Sequence, residues 1–484
     1  MSKLNGQVYT PLALAQQVVD GLRWPDGQPG AFLDAACGDG VFLQAAVERL
    51  VALGRGEEAD QVMGTDVDAD AVLAATERVE RVCREHGLTA RPQIVHRDGL
   101  DLDHPVAAFI GNPPYLESKR MPDALKKRIK ADFPLSGRGG FDLYSAFIEL
   151  GMRHVVPGGE LALIVPNRIC VAKANDALRR ALVDAGRVHV LDLSEQDVFR
   201  NAAVYPVVLS WVAGGPNELC VMHPDGRVKA RMARAALSRL GDRFPLPPPA
   251  VMPLLTRLLH DPVAYPPLAD QVQIRWTVSF HRAGLRDQYV FAEAPDTSTA
   301  RRFVGGARYS GNREVQPFHI QWAGAWIDYD EPRARADRNA LPPAALFTAP
   351  KVAIPQNARR PRAALDRSGA VLKDTFLAGV PAHNNPDVLP WLVLVINSAL
   401  FHHLYEALFG GTRKGGKFLH LLRGYLELMP LPTPPDEANA VHEALCLDPT
   451  DEALIAQAEQ LVRRAYGVTD DEHRALEELE LPGF

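Results

Sequence analysis

The sequence predicts an α/β protein, in which a doubly wound Rossmann-like sheet is followed by a C-terminal α+β domain. Between residues 31 and 211, short apolar runs alternate with amphipathic stretches, which is typical of buried parallel strands joined by helices. Prolines then crowd between Phe244 and Pro253 and form a stiff segment suited to separating domains. The length of 484 residues is enough for two or three domains.

Five apolar runs in the first half are predicted strands of this sheet. They are Phe32-Leu33, Gln61 to Gly64, Ala107 to Ile110, Glu160 to Val165 and Val188 to Leu191. A doubly wound sheet binds ligands at the carboxyl ends of its strands. The polar residues that directly follow these runs are therefore the candidate ligand-binding residues.

The rest of the chain is predicted to form a second domain and a tail. After the prolines, a strand-like run at Lys351 to Ile354 and an apolar helical run at Leu389 to Leu404 predict an α+β domain. More prolines follow Pro430, and beyond them apolar residues recur at helical spacing. The expected domains are residues 1–230, 231–432 and, as an acidic helical tail, 433–484.

Charge is segregated along the chain. The net charge is −6, with 53 basic and 59 acidic residues, but residues 231–430 carry about +9 and residues 431–484 about −10. The hydrophobic fraction of 47% excludes a disordered protein. The basic middle part favours a surface that binds a polyanion, although arginines scattered over a solvated surface would give the same count.

Cysteine spacing and the N-terminus predict a reduced, cytoplasmic protein. The five cysteines lie far apart and have no zinc-ligand spacing, so no metal site is expected. The first residues lack the apolar core of a signal peptide. The longest apolar run, Val388 to Phe401, is too short and too polar to span a bilayer, so no membrane association is expected.

Acidic residues follow three successive predicted strands. Asp34 opens a glycine-containing loop, Asp34-Ala35-Ala36-Cys37-Gly38-Asp39-Gly40, where glycines allow a ligand to approach the backbone. Asp66 follows the second strand, where a carboxylate can accept hydrogen bonds from ribose hydroxyls, and Asp98 follows the third, where it can receive an adenine amino group. Three such acids are what a nucleoside-bearing cofactor needs, although acids at strand ends also serve as caps.

The fourth strand is followed by Asn112-Pro113-Pro114-Tyr115. Two consecutive prolines fix the backbone, so that the Pro113 carbonyl and the Asn112 amide oxygen can face one point and accept both hydrogens of an exocyclic NH2. This arrangement directs the nitrogen lone pair towards a methyl sulfonium and requires no strong base. Tyr115 would stack on the ring of the bound base.

With these motifs in this order, the chain resembles the gamma-class (TaqI-like) DNA amino-methyltransferases of bacterial modification systems, which use S-adenosylmethionine. The resemblance begins at Gly6-Gln7-Val8-Tyr9-Thr10-Pro11 and includes Phe141-Asp142-Leu143-Tyr144. It continues loosely through Asp366-Arg367-Ser368-Gly369 and Leu422-Arg423-Gly424-Tyr425 in the C-terminal half. The fold implied is a Rossmann-like methyltransferase domain followed by a target-recognition domain.

The resemblance also implies roles for individual residues. The methionine part of the cofactor would lie against Tyr9, Thr10 and Ala36, with Asp34 near its amino group. Asp66 would bind the ribose and Asp98 the adenine. The remaining cofactor-binding candidates are Cys37, Gly38, Gly40 and Asn112, and the catalytic candidates are Asn112, Pro113, Tyr115 and Phe199. Two positions depart from the family pattern: Ala35 replaces the usual proline in the glycine loop, and Gly99 follows Asp98 where an aromatic or bulky residue can cover the adenine.

Basic clusters are the candidates for contact with DNA phosphates, since lysine and arginine supply most sequence-independent affinity. Solvated loops are the alternative interpretation. The candidates are Lys126, Lys127, Arg359, Arg360, Arg362, Arg413, Lys414 and Lys417.

The function expected from the residues and the resemblance together is site-specific methylation of the adenine N6 amino group in double-stranded DNA, with flipping of the base. Methylation of cytosine N4 is the nearest alternative, because the same two acceptors can hold either amine. Methylation of a protein glutamine is a second alternative, because release-factor methyltransferases share the Asn-Pro-Pro-Tyr motif. A third is a binding module that keeps the fold without the activity.

The resemblance also leads to expectations about partners. Because the first cofactor motif begins at Gly6, no nuclease domain is expected ahead of it, and the protein is expected to be a methylase only. A separate restriction endonuclease or another defence component could use the modification. The expected oligomeric state is a monomer.

Overall fold

The computed structural model describes residues 10–193, 206–280, 284–306, 312–339, 341–383, 385–410 and 418–479. The chain divides into two compact units, one up to Leu246 and the other from Pro247. This division falls within the proline-rich segment. The predicted domain limits at residues 230 and 432, with a separate tail after the second, stay predictions. The function of each unit stays a prediction.

The first unit is built around one large sheet. Its strands are β1 (Phe32–Asp34), β2 (Val62–Asp66), β3 (Gln93–His96), β4 (Val106–Gly111), β5 (Val155–Pro166), β6 (Gly186–Asp192), β7 (Pro206–Ala213), β8 (Glu218–Met222) and β9 (Val228–Ala233). Its helices are α1 (Leu12–Asp20), α2 (Val41–Ala52), α3 (Ala69–Glu85), α4 (Asp123–Asp132), α5 (Leu143–His154), α6 (Arg168–Val171), α7 (Asp176–Ala185) and α8 (Arg234–Arg239).

The order of strands in this sheet is β3-β2-β1-β4-β5-β7-β6-β8-β9. The five strands from β3 to β5 run parallel, whereas β7 runs antiparallel to both β5 and β6. Four neighbouring parallel strands, β3, β2, β1 and β4, thus end at the same edge. The prediction of a doubly wound, Rossmann-like sheet is confirmed, and this edge is where the candidate residues lie.

Burial explains why the predicted runs form the central strands. All residues of β1 and β4 are buried, and Phe32, Phe109 and Ile110 are fully so, as expected for strands that helices cover on both faces. Helix α3 is capped by Asp68, whose side chain accepts a hydrogen bond from the Asp70 backbone N–H. The core therefore lies directly behind the edge that carries the acids.

The second unit is α+β, as predicted. Its strands are β10 (Val272–Trp276), β11 (Val290–Phe291), β12 (Ala300–Val304), β13 (Trp326–Asp328), β14 (Lys351–Pro355), β15 (Asn357–Ala358), β16 (Ala364–Asp366), β17 (Val371–Leu372), β18 (Phe376–Pro381) and β19 (Leu419–His420). Its helices are α9 (Met252–His260), α10 (Arg286–Tyr289), α11 (Glu331–Ala336), α12 (Ala345–Thr348), α13 (Val388–Asn397), α14 (Ala399–Phe409), α15 (Arg423–Leu426), α16 (Ala438–Leu447), α17 (Glu452–Ala465) and α18 (Asp470–Glu477).

Two four-stranded sheets, β10-β18-β14-β16 and β11-β13-β12-β17, organise this second unit. The apolar run predicted as helical forms two helices, α13 and α14, because Ser398 ends the first and caps the second through its hydroxyl. Over the described residues, no single helix has the length and apolarity needed to cross a bilayer, and these two meet that criterion only as a pair bent by 75°. Both helices are largely buried within the unit.

Candidate active site

The glycine-containing loop joins β1 to α2 and lies across the ends of the neighbouring strands. The Cys37 N–H donates to the Thr65 carbonyl at the end of β2, at 2.9 Å. Gly38 and Gly40 adopt φ angles of 53° and 81°, which residues with a Cβ seldom take. Among the residues that the structure describes, and apart from its two chain neighbours, no heavy atom lies within 4 Å of where a Cβ of Gly38 would stand, so the backbone is open to a ligand here.

Asp34 is a buried carboxyl group at the end of β1, with an exposed fraction of 2%. Its Oδ1 accepts a hydrogen bond from the Ala36 N–H at 3.1 Å. Burial, with a smaller contribution from the nearby carboxylates of Asp66 and Asp39, raises the pKa of Asp34 to about 8. A Cβ at Gly111 would come within 2.5 Å of Oδ1, so the glycine at the end of β4 lets that strand approach Asp34.

Asp66, the last residue of β2, contacts the same loop. Its Oδ2 accepts a hydrogen bond from the Gly38 N–H and its Oδ1 one from the Asp68 N–H, both at 2.9 Å. These two bonds fix the carboxylate beside the open backbone of Gly38. Each carboxylate oxygen can accept a second hydrogen bond, so Asp66 keeps the capacity to bind two hydroxyls.

Asp98 follows β3 and caps a short 3-10 helix, Gly99–Asp101. Its Oδ1 accepts from the Leu100 N–H at 3.0 Å, and its Oδ2 accepts from Arg128 at 2.7 Å. A Cβ on Gly99 would lie 1.9 Å from the Ala35 carbonyl oxygen. The two departures noted in the sequence, at positions 35 and 99, are therefore in contact, and glycine is required where the family has a bulkier residue.

Asn112 follows β4 and is linked to the N-terminal motif. Its Nδ2 donates to Thr10 Oγ1 at 3.1 Å, although 102 positions separate the two residues. This bond fixes the plane of the side-chain amide. The prediction that the first motif and the Asn-Pro-Pro-Tyr motif belong to one site is thus supported by a direct contact.

The next residues of this motif are held rigidly. Pro113 is buried, and the Tyr115 hydroxyl donates to the Ile164 carbonyl on β5 at 3.1 Å. The Tyr115 ring meets the edge of Tyr144 on α5, with 6.2 Å between the ring centroids. Burial raises the pKa of Tyr115 far above its usual value, so its hydroxyl remains a donor at physiological pH. A tyrosine fixed in this way offers a rigid surface for stacking.

Sequence reasoning did not single out Asp142, which supports the motif from behind. Its Oδ1 accepts from the Leu116 N–H at 2.8 Å, and the Leu143 N–H donates to the Leu116 carbonyl at 3.0 Å. Burial raises the pKa of Asp142. The signal in the sequence was the Phe141-Asp142-Leu143-Tyr144 motif, but only the fold reveals that its acid holds the segment after Tyr115.

The basic candidates differ in their surroundings. On α4, Lys126 is half-buried and lies 3.6 Å from Asp123, whereas Lys127 is exposed. Arg359 lies over the Phe418 ring at 5.8 Å, and Arg360 lies 3.7 Å from Glu459. Arg362 points inwards and donates to the carbonyls of Val315 and Asn312, at 2.7 and 3.1 Å. A contact between Arg362 and a DNA phosphate stays a prediction, and it would require Arg362 to break these two hydrogen bonds first.

Five predicted site residues lie outside the described residues. They are Tyr9, Phe199, Arg413, Lys414 and Lys417.

The donor set fits S-adenosylmethionine. The open backbone at Gly38, flanked by Asp34 and Asp66, matches a small cationic ligand that carries ribose hydroxyls. Within the described ranges, no group of three or more His, Cys, Asp or Glu side chains could hold a metal ion.

Comparison with known proteins finds similarity to methyltransferases of restriction-modification systems. Residues 107–199 match the model of the Eco57I restriction-modification methylase. The type II methyltransferase M.TthHB8I of Thermus thermophilus is 32% identical over 219 residues, covering 43% of this chain and 45% of the relative. M.BstVI of Geobacillus stearothermophilus, also a type II methyltransferase, is 25% identical over 236 residues, covering 43% and 42%. The matches thus span less than half the length of these curated relatives.

A solved structure extends the similarity in fold over nearly the whole chain. The type IIL restriction-modification enzyme MmeI, solved in complex with DNA, matches with a TM-score of 0.55 at 14% identity, covering 96% of this chain and 73% of that one. The order of strands, the match over residues 107–199 and the curated relatives all indicate a methyltransferase domain. Residues 107–199 are thus similar to the methylase of the Eco57I restriction-modification system, and the methyltransferases that the chain matches imply S-adenosylmethionine as the cofactor.

Proposed function

We propose that this protein transfers a methyl group from S-adenosylmethionine to the N6 amino group of an adenine that is flipped out of double-stranded DNA. The observation that carries this proposal is the Asn112 amide, which Thr10 holds at the end of β4, beside the strand ends that carry Asp34 and Asp66. An amide fixed there can accept a hydrogen bond from an exocyclic amine next to the cofactor.

Each residue of the site has a part in this chemistry. Asn112 and the Pro113 carbonyl would accept the two N–H bonds and orient the nitrogen lone pair. Tyr115 would hold the plane of the base by stacking, because its hydroxyl is anchored on Ile164. When bound, the cofactor supplies an activated methyl group on a sulfonium. The contribution of the protein is positioning and electrostatic preorganisation.

We further propose that the unit from Pro247 onwards recognises the target sequence. Within this unit, residues 247–430 carry about +6 ahead of the acidic residues 431–484, and this basic part supports the role, because contacts to phosphate supply most sequence-independent affinity for DNA. The alignments with the curated relatives cover less than half of this chain, so the role rests on charge and on the similarity in fold to MmeI. We propose a monomeric methylase that works alongside a separate endonuclease or another defence component.

The test is expression of the wild type and of Asn112→Ala in a methylation-deficient host. Plasmid DNA is then analysed by mass spectrometry of nucleosides and by single-molecule sequencing. We expect N6-methyladenine at one sequence motif in the wild type and none in the variant. N4-methylcytosine would keep the roles of the residues and change the target base. No modified base from a folded wild type that binds S-adenosylhomocysteine would contradict the proposal.

A further inference from the structure

We propose that Arg128 is a positioning residue for the cofactor, which holds the Asp98 carboxylate in the orientation that receives the adenine amino group. The inference rests on the proposed function, because it takes Asp98 as the adenine acceptor. It adds a residue from α4, outside the motifs of the family, to the cofactor site.

Arg128 contacts acids at both ends of the short 3-10 helix that follows β3. Its Nη1 donates to Asp98 Oδ2 at 2.7 Å, and its Nη2 donates to Asp101 Oδ1 at 2.5 Å. Its Nε also lies 3.6 Å from Asp132 Oδ2, one turn further along α4. Because the guanidinium group is planar and holds its donors at fixed angles, contacts to two acids define where each carboxylate lies.

Asp98 has a second fixed donor, the Leu100 N–H, on its other oxygen. Two donors on opposite oxygens prevent the carboxylate from rotating, and each oxygen can still accept one more hydrogen bond. Without Arg128, the carboxylate would lose the donor on Oδ2 and could turn about the bond that Leu100 makes to Oδ1. The amino group of the adenine would then meet an acceptor that is present but not directed.

The position of Arg128 on α4 supports this role more than a role in stability. The neighbouring residue Ile129 is fully buried and anchors the helix in the core. The Arg128 and Asp98 side chains are 30% and 34% exposed, and ion pairs with this much exposure add little to stability. The ion pair is therefore better explained by the orientation that it gives to the Asp98 carboxylate than by a contribution to the stability of the fold.

The test compares two ligands by isothermal titration calorimetry. The first is S-adenosylhomocysteine, and the second is its analogue with hydrogen in place of the 6-amino group of the purine. In Arg128→Ala we expect affinity for the first to fall roughly tenfold and affinity for the second to stay as in the wild type, since only the first donates to Asp98. Arg128→Lys, which keeps the charge without the planar pair of donors, should fall in between.

Two further variants make the outcome unambiguous. Asp98→Ala should lose the same preference for the amino-bearing ligand. Arg84→Ala, which removes an exposed ion pair with Glu80 on α3, should bind both ligands like the wild type. Equal loss of both ligands in Arg128→Ala, or none, would overturn the role of Arg128. Failure of the wild type to bind S-adenosylhomocysteine would instead overturn the proposed function.

Discussion

Thr10 is the residue whose contact with Asn112 most directly links the N-terminal motif to the proposed chemistry. Thr10→Val keeps the shape of the side chain but removes the oxygen that accepts from the amide. We expect the single-turnover methylation rate to fall about tenfold, because a misoriented amide costs positioning at the reacting nitrogen. Thr10→Ser, which retains the hydroxyl, should restore the rate. An unchanged rate in Thr10→Val would mean that the amide is oriented by other contacts.

Asp34 predicts a pH dependence of cofactor binding. Because its pKa is raised to about 8, the carboxyl is protonated in the folded protein at neutral pH. The ammonium group of the cofactor favours the ionised form, so binding releases a proton and affinity rises as the pH increases from 6 to 8. The slope should approach, and not exceed, about tenfold per pH unit.

Titration calorimetry of S-adenosylhomocysteine at several pH values, in buffers with different ionisation enthalpies, measures both the slope and the proton released. Asp34→Asn provides the control, because it cannot titrate and should give affinity independent of pH in this range. A wild type with the same flat profile would show that Asp34 does not lie near the amino group.

Site residues that lie in contiguous motifs could be predicted from the sequence, whereas the residues that hold them in place could not. Asp34, Asp66 and Asn112 follow predicted strands, so the geometry of a parallel sheet brings them to one edge. Arg128 and Asp142 act through partners 30 and 26 positions away, and no local pattern signals those contacts. Tertiary packing alone determines such pairs.

At the scale of elements, the segment after Tyr115 is held against α5 through Asp142. Asp142→Ala removes the acceptor of the Leu116 N–H, and we expect the methylation rate to fall about tenfold as this segment loses its fixed position. Asp142→Asn keeps an oxygen that can accept and should retain most of the rate. Hydrogen exchange at Leu116 should rise in the alanine variant alone. Equal rates in both variants would assign the residue no positioning role.

Strands β14 and β16 of the second unit are joined by an ion pair between Lys351 and Asp366, which lie opposite each other in register. Lys351 is fully buried, and burial lowers its pKa. Lys351→Met leaves the carboxylate buried without its cation, so we expect a loss of about 3–5 kcal/mol in the free energy of unfolding. Urea denaturation measures this loss.

The matched control is Arg227→Met, which breaks an exposed pair with Asp225 and should cost less than about 1 kcal/mol. A similar small loss in both variants would mean that the Lys351 pair contributes no more than a surface pair.

Strands that are buried on both faces are the elements most open to prediction, because a short, continuous apolar run between polar segments is typical of them. The break between α13 and α14 was not predicted, since an apolar run gives no sign of where a helix ends. Ser398 decides it by capping α14, and this cap can be recognised only when the direction of the chain is known.

At the scale of the whole molecule, the distribution of charge matters more than its sum. A net charge of −6 opposes binding to a polyanion, yet the segment 231–430 carries about +9 and α4 adds lysines beside the proposed site. Binding to DNA should therefore depend on local contacts to phosphates, each of which releases counterions from the duplex. The dependence on salt counts these contacts.

The double variant Lys126→Ala, Lys127→Ala tests whether α4 supplies two of them. A plot of log affinity for DNA against log salt concentration should lose about 1.8 from its slope, which is about 0.9 for each phosphate contact. Affinity for S-adenosylhomocysteine should not change. Arg227→Ala, which removes a 79% exposed cation far from the proposed site in sequence, is the control for a general loss of positive charge. If the control and the double variant lower the slope per charge equally, α4 has no special contact with DNA, because only a uniform electrostatic field would then act.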